Sequence, residues 1–335
     1  MLNVVSVFNY TAIASLGVLG ALVLGGLLYS RKFDCKGKHV LITGGSSGIG
    51  LEVAKEYLRL GARVSIMARD AKKLAEAKVE LVKGSKEDAE NRVFCVSVDT
   101  GSGLKAVEHA LAPATKLFGD VDVLINCAGT SVAGAFYELD IGEFERMLKV
   151  NVLGSVYPTR AVLAGMKKKK AGRIVFVASQ VAQVAIHGYS AYGASKWALR
   201  GLAEALQMEV KPFGIYVSVS YPPDTDTPGY KEEMLSKPQI TRALSESGDV
   251  FSAQRVAHDL VHYSNEGYFG ISTGLDGWLL KQLHPGMSPA NHLLEVIQQI
   301  VFAPLCRLIA VCYVLSWDSL VASEVKKEVE SKKKK

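Results

Sequence analysis

"HVLITGGSSGIG", residues 39–50, joins an apolar run of β type to a glycine-rich turn and then to residues of helical period. A strand that empties into such a turn and a helix is the opening of a βαβ unit, and the turn lies where the phosphates of a dinucleotide would rest. Glycine there permits a tight bend and lets the backbone approach a pyrophosphate, while the helix N-terminus offers N–H groups and a partial positive charge. Gly44, Ser46, Ser47, Gly48, Ile49 and Gly50 are the candidate phosphate contacts, the serines through their hydroxyls.

Outward from that turn, short β-rich runs alternate with longer segments of helical period. "ARVSIMA" (62–68), "RVFCVSVD" (92–99), "DVLINCAG" (122–129), "GRIVFVAS" (172–179) and "IYVSVSYP" (215–222) read as strands, with helices over 49–60, 70–83, 103–118, near 140–165 and around Tyr192. That alternation predicts an α/β fold built on a doubly wound parallel sheet, a Rossmann-type domain spanning 33–290. Scattered Gly and Pro over 223–290 predict a loop-rich cover above the site.

Composition bounds the setting. The chain has 335 residues, 49% of them hydrophobic, enough for a buried core. Five cysteines, odd in number and without metal-ligand spacing, argue against a disulfide framework or a metal site and fit a reducing compartment. The net charge of +6 is concentrated in Lys167–Lys170 and in the terminal "KKEVESKKKK", neither interleaved with aromatics, so a nucleic-acid partner is not expected. No charged residue occurs before Arg31, and "YTAIASLGVLGALVLGGLLY" (10–29) is about as long as a bilayer is thick. Residues 1–32 thus read as an uncleaved anchor, and the Arg31-Lys32 pair after the apolar run places the remainder in the cytosol. A cleaved signal peptide is the alternative. A second apolar stretch, 296–317 within a segment 291–320, is interrupted by Pro304 and Arg307 and so has no unbroken run of spanning length; it predicts a re-entrant or interfacial helix, or one packed on the domain, followed by a basic tail 321–335.

Where the second strand ends, a carboxylate would hold the 2′-OH of NAD, whereas here stands Arg69, with Lys72-Lys73 beyond. Arg69 and Lys73 therefore predict NADPH, through charge-assisted bonds to its 2′-phosphate. Asp99, ending the third strand, is a candidate for the adenine amino group, and Asn126, Ala128 and Gly129 form a passage for the cofactor. Within "SAYGASKWALRG" (190–201), Tyr192 and Lys196 lie one turn apart, and Ser179 ends the preceding strand, so all three converge on the carboxyl edge of the sheet. A phenol titrating near 10 is a weak catalyst at neutral pH; an ammonium and a nicotinamide cation beside it could lower it by about three pH units, roughly 4 kcal/mol.

These motifs, with Asn151 in "KVNVLGS", resemble the short-chain dehydrogenase/reductase family in order and spacing across about 33–225. The longer strings "GSVYPTRAV", "GRIVFVASQ", "GLAEALQMEVKP", "YPPDTDTPG", "GLDGWLL" and "GMSP" are similar to a narrower group, the 3-ketodihydrosphingosine reductases. The resemblance implies a tetrad in which Tyr192 protonates a carbonyl oxygen, Ser179 bonds it, Lys196 tunes Tyr192 and holds the ribose, and Asn151 anchors a water leading to Lys196. It implies further cofactor contacts at Pro222 and Thr227, a long-chain sphingoid ketone as substrate, contact with membrane lipids, and a homodimer formed through the helices at 103–118 and 140–165. Lys332–Lys335 resemble a dilysine retrieval signal, which implies the endoplasmic reticulum membrane. Pro223 departs from the wider family's Pro-Gly but matches the narrower group, whereas "ASQVAQ" (178–183) departs from it along the substrate wall. A reductase of a steroid, retinoid or 3-ketoacyl chain, and a catalytically silent membrane scaffold, are the competing readings.

Overall fold

The computed structural model describes residues 32–83, 89–245, 248–290 and 292–333; the expected anchor segment 10–29 and the last two lysines lie outside them. Seven parallel strands form one sheet: β1 (His39–Thr43), β2 (Arg63–Ala68), β3 (Val93–Ser97), β4 (Val123–Asn126), β5 (Gly172–Val177), β6 (Ile215–Tyr221) and, after a minor two-stranded pair β7 (Thr225–Asp226) and β8 (Phe251–Ser252), β9 (Gly270–Ser272). Their order is β3-β2-β1-β4-β5-β6-β9, so the winding reverses between β1 and β4. Ligands of open α/β sheets bind at the carboxyl ends of the strands beside such a reversal.

Why these runs form a central sheet is visible in β1. Val40 and Ile42 enter one buried cluster with Tyr57, Ile66 and Leu260, while Leu41 enters another with Met67, Leu124, Phe176 and Leu206. Alternate side chains face opposite sides, and both sides are covered by helices, which is why the strands are apolar throughout rather than alternating. Helices α1 (Gly48–Arg59), α2 (Ala71–Lys83), α3 (Leu104–Phe118), α4 (Ile141–Met147), α5 (Gly154–Lys169) and α6 (Ser190–Val210) supply most of that cover.

Three expectations are corrected. The single helix near 140–165 is two helices, α4 and α5, joined by a π-helical turn, Leu148–Leu153, that contains Asn151. The span 223–290 is more regular than a loop-rich cover: it folds as α7 (Pro228–Ser236), α8 (Gln239–Ser245), α9 (Ala253–Asn265) and α10 (Gly274–Leu283), and β9 completes the sheet. Val256, Ala257, Leu260 and Val261 of α9 are core residues. A three-residue strand set among glycines carries too short a pattern to be read as one. Finally, Pro304 does not interrupt the C-terminal segment, because α11 runs unbroken from Leu293 to Lys333, past the expected boundary at 320.

Its part Leu293–Lys327 is long and apolar enough to cross a membrane, with mean hydropathy 2.0 in its most apolar window, only 6% of which is buried. Its first turns rest on α10, with the Trp278 and Phe302 rings 5.3 Å apart and Lys281 3.0 Å from Glu295. Beyond them Leu305, Leu308, Val314 and Leu315 face outward. A helix that presents apolar side chains all round without burying them in protein is suited to lipid.

Candidate active site

The turn after β1 is built for close approach. Gly44 and Gly48 hold positive φ angles, 68° and 56°, which L side chains rarely adopt. A Cβ on Gly50 would lie 2.3 Å from the Gly44 carbonyl oxygen, so the bend closes only with glycine there. Ser47 caps α1 in extended conformation without a side-chain bond, which leaves the first-turn N–H groups of a 12-residue helix to an incoming anion.

Thr43, which opens the glycine-rich motif, ties this turn to β4. Thr43 Oγ1 accepts from the N–H groups of Cys127 (3.1 Å) and Ala128 (3.0 Å), pinning the exit of β4 against that of β1. It stands at the end of β1, opposite Asn126 in the register. The Asn126 side chain, by contrast, is turned inward: it is buried and donates to Thr159 Oγ1 at 3.0 Å. Gly129 stands where a Cβ would be 3.2 Å from Asn151 Oδ1 and 3.4 Å from Lys196 Nζ, so the strand exit, the π turn and α6 meet at one point.

Asn151 is buried, and both hydrogens of its amide are engaged. Oδ1 accepts from Thr130 N (2.9 Å), while Nδ2 donates to Thr130 O (3.0 Å) and Ser195 Oγ (2.9 Å). Ser195 in turn donates to the Tyr192 carbonyl at 2.7 Å, so Asn151 fixes α6 at the turn that carries Tyr192. The π turn explains the register, since inserting one residue into a helix re-aims the side chains around it, often at a functional site. Ser195 was hidden from motif reading by lying inside an alanine-rich run.

Ser179 lies two residues past β5 and caps a short 3-10 turn, accepting from Val181 N at 3.2 Å while hydrogen-bonded to Tyr192. Lys196 is buried; its ammonium donates to the Val177 carbonyl at 2.9 Å and lies 5.7 Å from the centre of the Tyr192 ring. Burial pulls the lysine down from 10.5 to about 8. Within the protein alone, Tyr192 is pushed upward. Burial and then the Glu233 carboxylate push its phenol above the ordinary value, Asp224 adds to this, and the bond to Ser179 opposes them only in part.

At the adenosine end, Arg69 and Lys73 are exposed beyond β2. Asp70, next to Arg69, accepts from the N–H groups of Lys73 and Lys72 at the start of α2, and these bonds hold it below the usual carboxylate range. Asp99 lies two residues past β3, exposed, with Oδ1 accepting from Gly101 N at 2.9 Å. Pro222 accepts from Gln180 N at 3.0 Å, and Thr227 caps α7 while its methyl group sits against Gly48, so the segment after β6 folds back onto the glycine-rich turn.

Residues 38–237 match the family model for short chain dehydrogenases. Over 304 residues, 91% of each chain, the sequence is 46% identical to a Bos taurus protein named 3-ketodihydrosphingosine reductase and 47% identical to a Danio rerio protein named 3-dehydrosphinganine reductase. A solved structure titled as a short chain dehydrogenase/reductase family protein superposes with a TM-score of 0.59 at 28% identity, covering 69% of this chain and 91% of that one. The chain belongs to the short-chain dehydrogenase family. Its reaction class is therefore oxidoreductase and its cofactor a nicotinamide dinucleotide. The cradle that only glycine fits, the uncapped start of α1 and the backbone exit at Ala128-Gly129 are all features such a ligand requires. As a member of this family the chain carries an addition: α11, an apolar helix after the last strand, which suggests membrane association.

Proposed function

We propose that the protein reduces the 3-keto group of a long-chain sphingoid base, 3-ketodihydrosphingosine, to the alcohol with NADPH, as a step in making sphingolipids. The observation that carries this is the agreement of two independent lines: relatives of nearly equal length bear that activity in their names, and Ser179, Tyr192, Lys196 and Asn151 converge at the sheet reversal. The bound cofactor supplies the hydride. Tyr192, kept protonated by its surroundings, is a proton donor at neutral pH, and it hands its proton to the carbonyl oxygen as negative charge develops there. Ser179 supplies the second hydrogen bond to that oxygen, so the developing charge meets two donors. Lys196, mostly an ammonium at pH 7, stabilises the phenolate left behind and re-protonates it. Asn151 acts by position: its amide holds Thr130 and Ser195, and the second lone pair of its Oδ1 can anchor a water leading to Lys196.

Arg69 and Lys73, exposed beyond β2, support NADPH over NADH through charge-assisted bonds to its 2′-phosphate. The apolar surface of α11 supports attachment to a bilayer, where a long-chain ketone resides. In this reading 33–290 is the catalytic unit facing the cytosol, 1–32 and α11 hold it at the endoplasmic reticulum membrane, Lys332–Lys335 form a retrieval signal, and two copies pair through α3 and the span 140–165 that holds α4 and most of α5. The test is NADPH consumption in detergent with 3-ketodihydrosphingosine, a steroid ketone and a 3-ketoacyl chain. The sphingoid ketone is expected to be turned over at least tenfold more efficiently; comparable rates on the others would overturn the assignment.

A further inference from the structure

Beside Tyr192 lies a group of charges that the proton transfer does not use. Tyr189 stacks at a tilt on Tyr192, ring centres 5.5 Å apart, and its hydroxyl donates to Glu233 of α7. Lys237, just past α7, has a fully shielded side chain; its Nζ lies 3.4 Å from Glu233 Oε1 and 3.7 Å from Asp224 Oδ2, and 5.4 Å from the Tyr189 ring centre. Those separations exceed ordinary hydrogen bonds, and Nζ has no hydrogen-bond partner although it is buried. Two carboxylates facing one ammonium leave one negative charge unmatched in a shielded place, which is costly unless a further cation completes it. Burial and the Glu233 charge also raise the Asp224 carboxyl, against the pull of Lys237 and a bond from Tyr230.

An α-amino ketone carries its nitrogen about 3 Å from its carbonyl oxygen, by ordinary bond lengths. Glu233 is bonded to Tyr189, whose ring lies 5.5 Å from that of Tyr192, so with that oxygen on Tyr192 and Ser179 the nitrogen can turn toward the Glu233 and Asp224 carboxylates. We propose that Asp224, Glu233 and Lys237 form a headgroup subsite: the two carboxylates take the ammonium of a 2-amino-3-ketone, and the unbonded hydrogens of Lys237 take its hydroxyl oxygen. This rests on the sphingoid reading of the substrate and adds the reason for it. The enzyme selects an amine-bearing ketone rather than any long-chain one.

The experiment compares kcat/KM for 3-ketodihydrosphingosine with that for the 1-hydroxy-3-ketone of equal chain length lacking the amine, in detergent with NADPH. For the wild type the amine-bearing ketone is expected to be favoured by about 10- to 100-fold, the worth of a charge-assisted bond. Glu233→Gln, which keeps size and the bond from Tyr189, should reduce that ratio about tenfold or more, and Asp224→Asn should do likewise if the first variant folds poorly. Equal efficiency of the wild type on both ketones would overturn the inference alone, as would variants that slow both ketones by one factor, the mark of a merely structural ion pair. Turnover of neither ketone by the wild type would overturn the substrate reading and this subsite with it.

Discussion

Lys196 reaches from the middle of α6 to the end of β5 and donates to the Val177 carbonyl at 2.9 Å. The bond places an ammonium under the tyrosine at the carboxyl edge of the sheet, in a position burial makes expensive to charge.

The cost has a sign in pH. With the lysine at about 8 in the folded protein and near 10.5 in the unfolded chain, the unfolded chain holds an extra proton between those values. Stability must then rise with pH across that window, and the penalty is fully present below pH 8. In denaturant unfolding, the wild type should gain on the order of 3 kcal/mol relative to Lys196→Met between pH 8 and pH 10.5. Parallel curves would show that this lysine is not charged at a cost.

Gly50→Ala should close the crevice. The added methyl would meet the Gly44 carbonyl oxygen, which cannot retreat because Gly44 N is bonded to the Met67 carbonyl at 2.7 Å. Overpacking of this kind costs roughly 1–3 kcal/mol. Thermal unfolding should show a lowered Tm and loss of the stabilisation that NADPH confers on the wild type.

Asn151→Ala would leave Thr130 and Ser195 without their partner, a loss of roughly 1–3 kcal/mol for buried polar groups. Because Asn151 positions the tyrosine's turn rather than touching the ketone, kcat should fall more than KM rises. Ser195→Ala should reproduce part of the effect, and an unchanged kcat in both would refute the positioning role.

For Arg69→Glu, the preference for NADPH over NADH, measured as the ratio of kcat/KM values, should drop by about 10- to 100-fold. A constant ratio would show that the 2′-phosphate is read elsewhere.

The parts of the fold legible in the chain were those with a strong local pattern. β1, the glycine turn and α1 were read within about a residue, because "HVLITGGSSGIG" combines an apolar run with positions that tolerate only glycine. The pairing of Tyr192 with Lys196 on one helix was likewise legible from spacing. What escaped depended on contacts distant in sequence. The π turn at Asn151 arises where α4 and α5 must both satisfy neighbours, and no local signal marks it. Strand β9 is three residues long and exists because β6 offers it an edge. The carboxylates of Glu233 and Asp224 beside Tyr192 were not legible, because these residues, over 30 positions further on, come to its side only in the folded chain. Pro304 misled for a related reason, since a helix exposed to its surroundings can carry a proline without ending.

The most direct test is NADPH oxidation with 3-ketodihydrosphingosine by the wild type and by Tyr192→Phe, in the same detergent and with NADPH binding followed separately. The wild type should turn the ketone over, and the variant should bind NADPH normally while losing roughly 10²–10⁴-fold in kcat. Turnover by Tyr192→Phe at the wild-type rate would contradict the account.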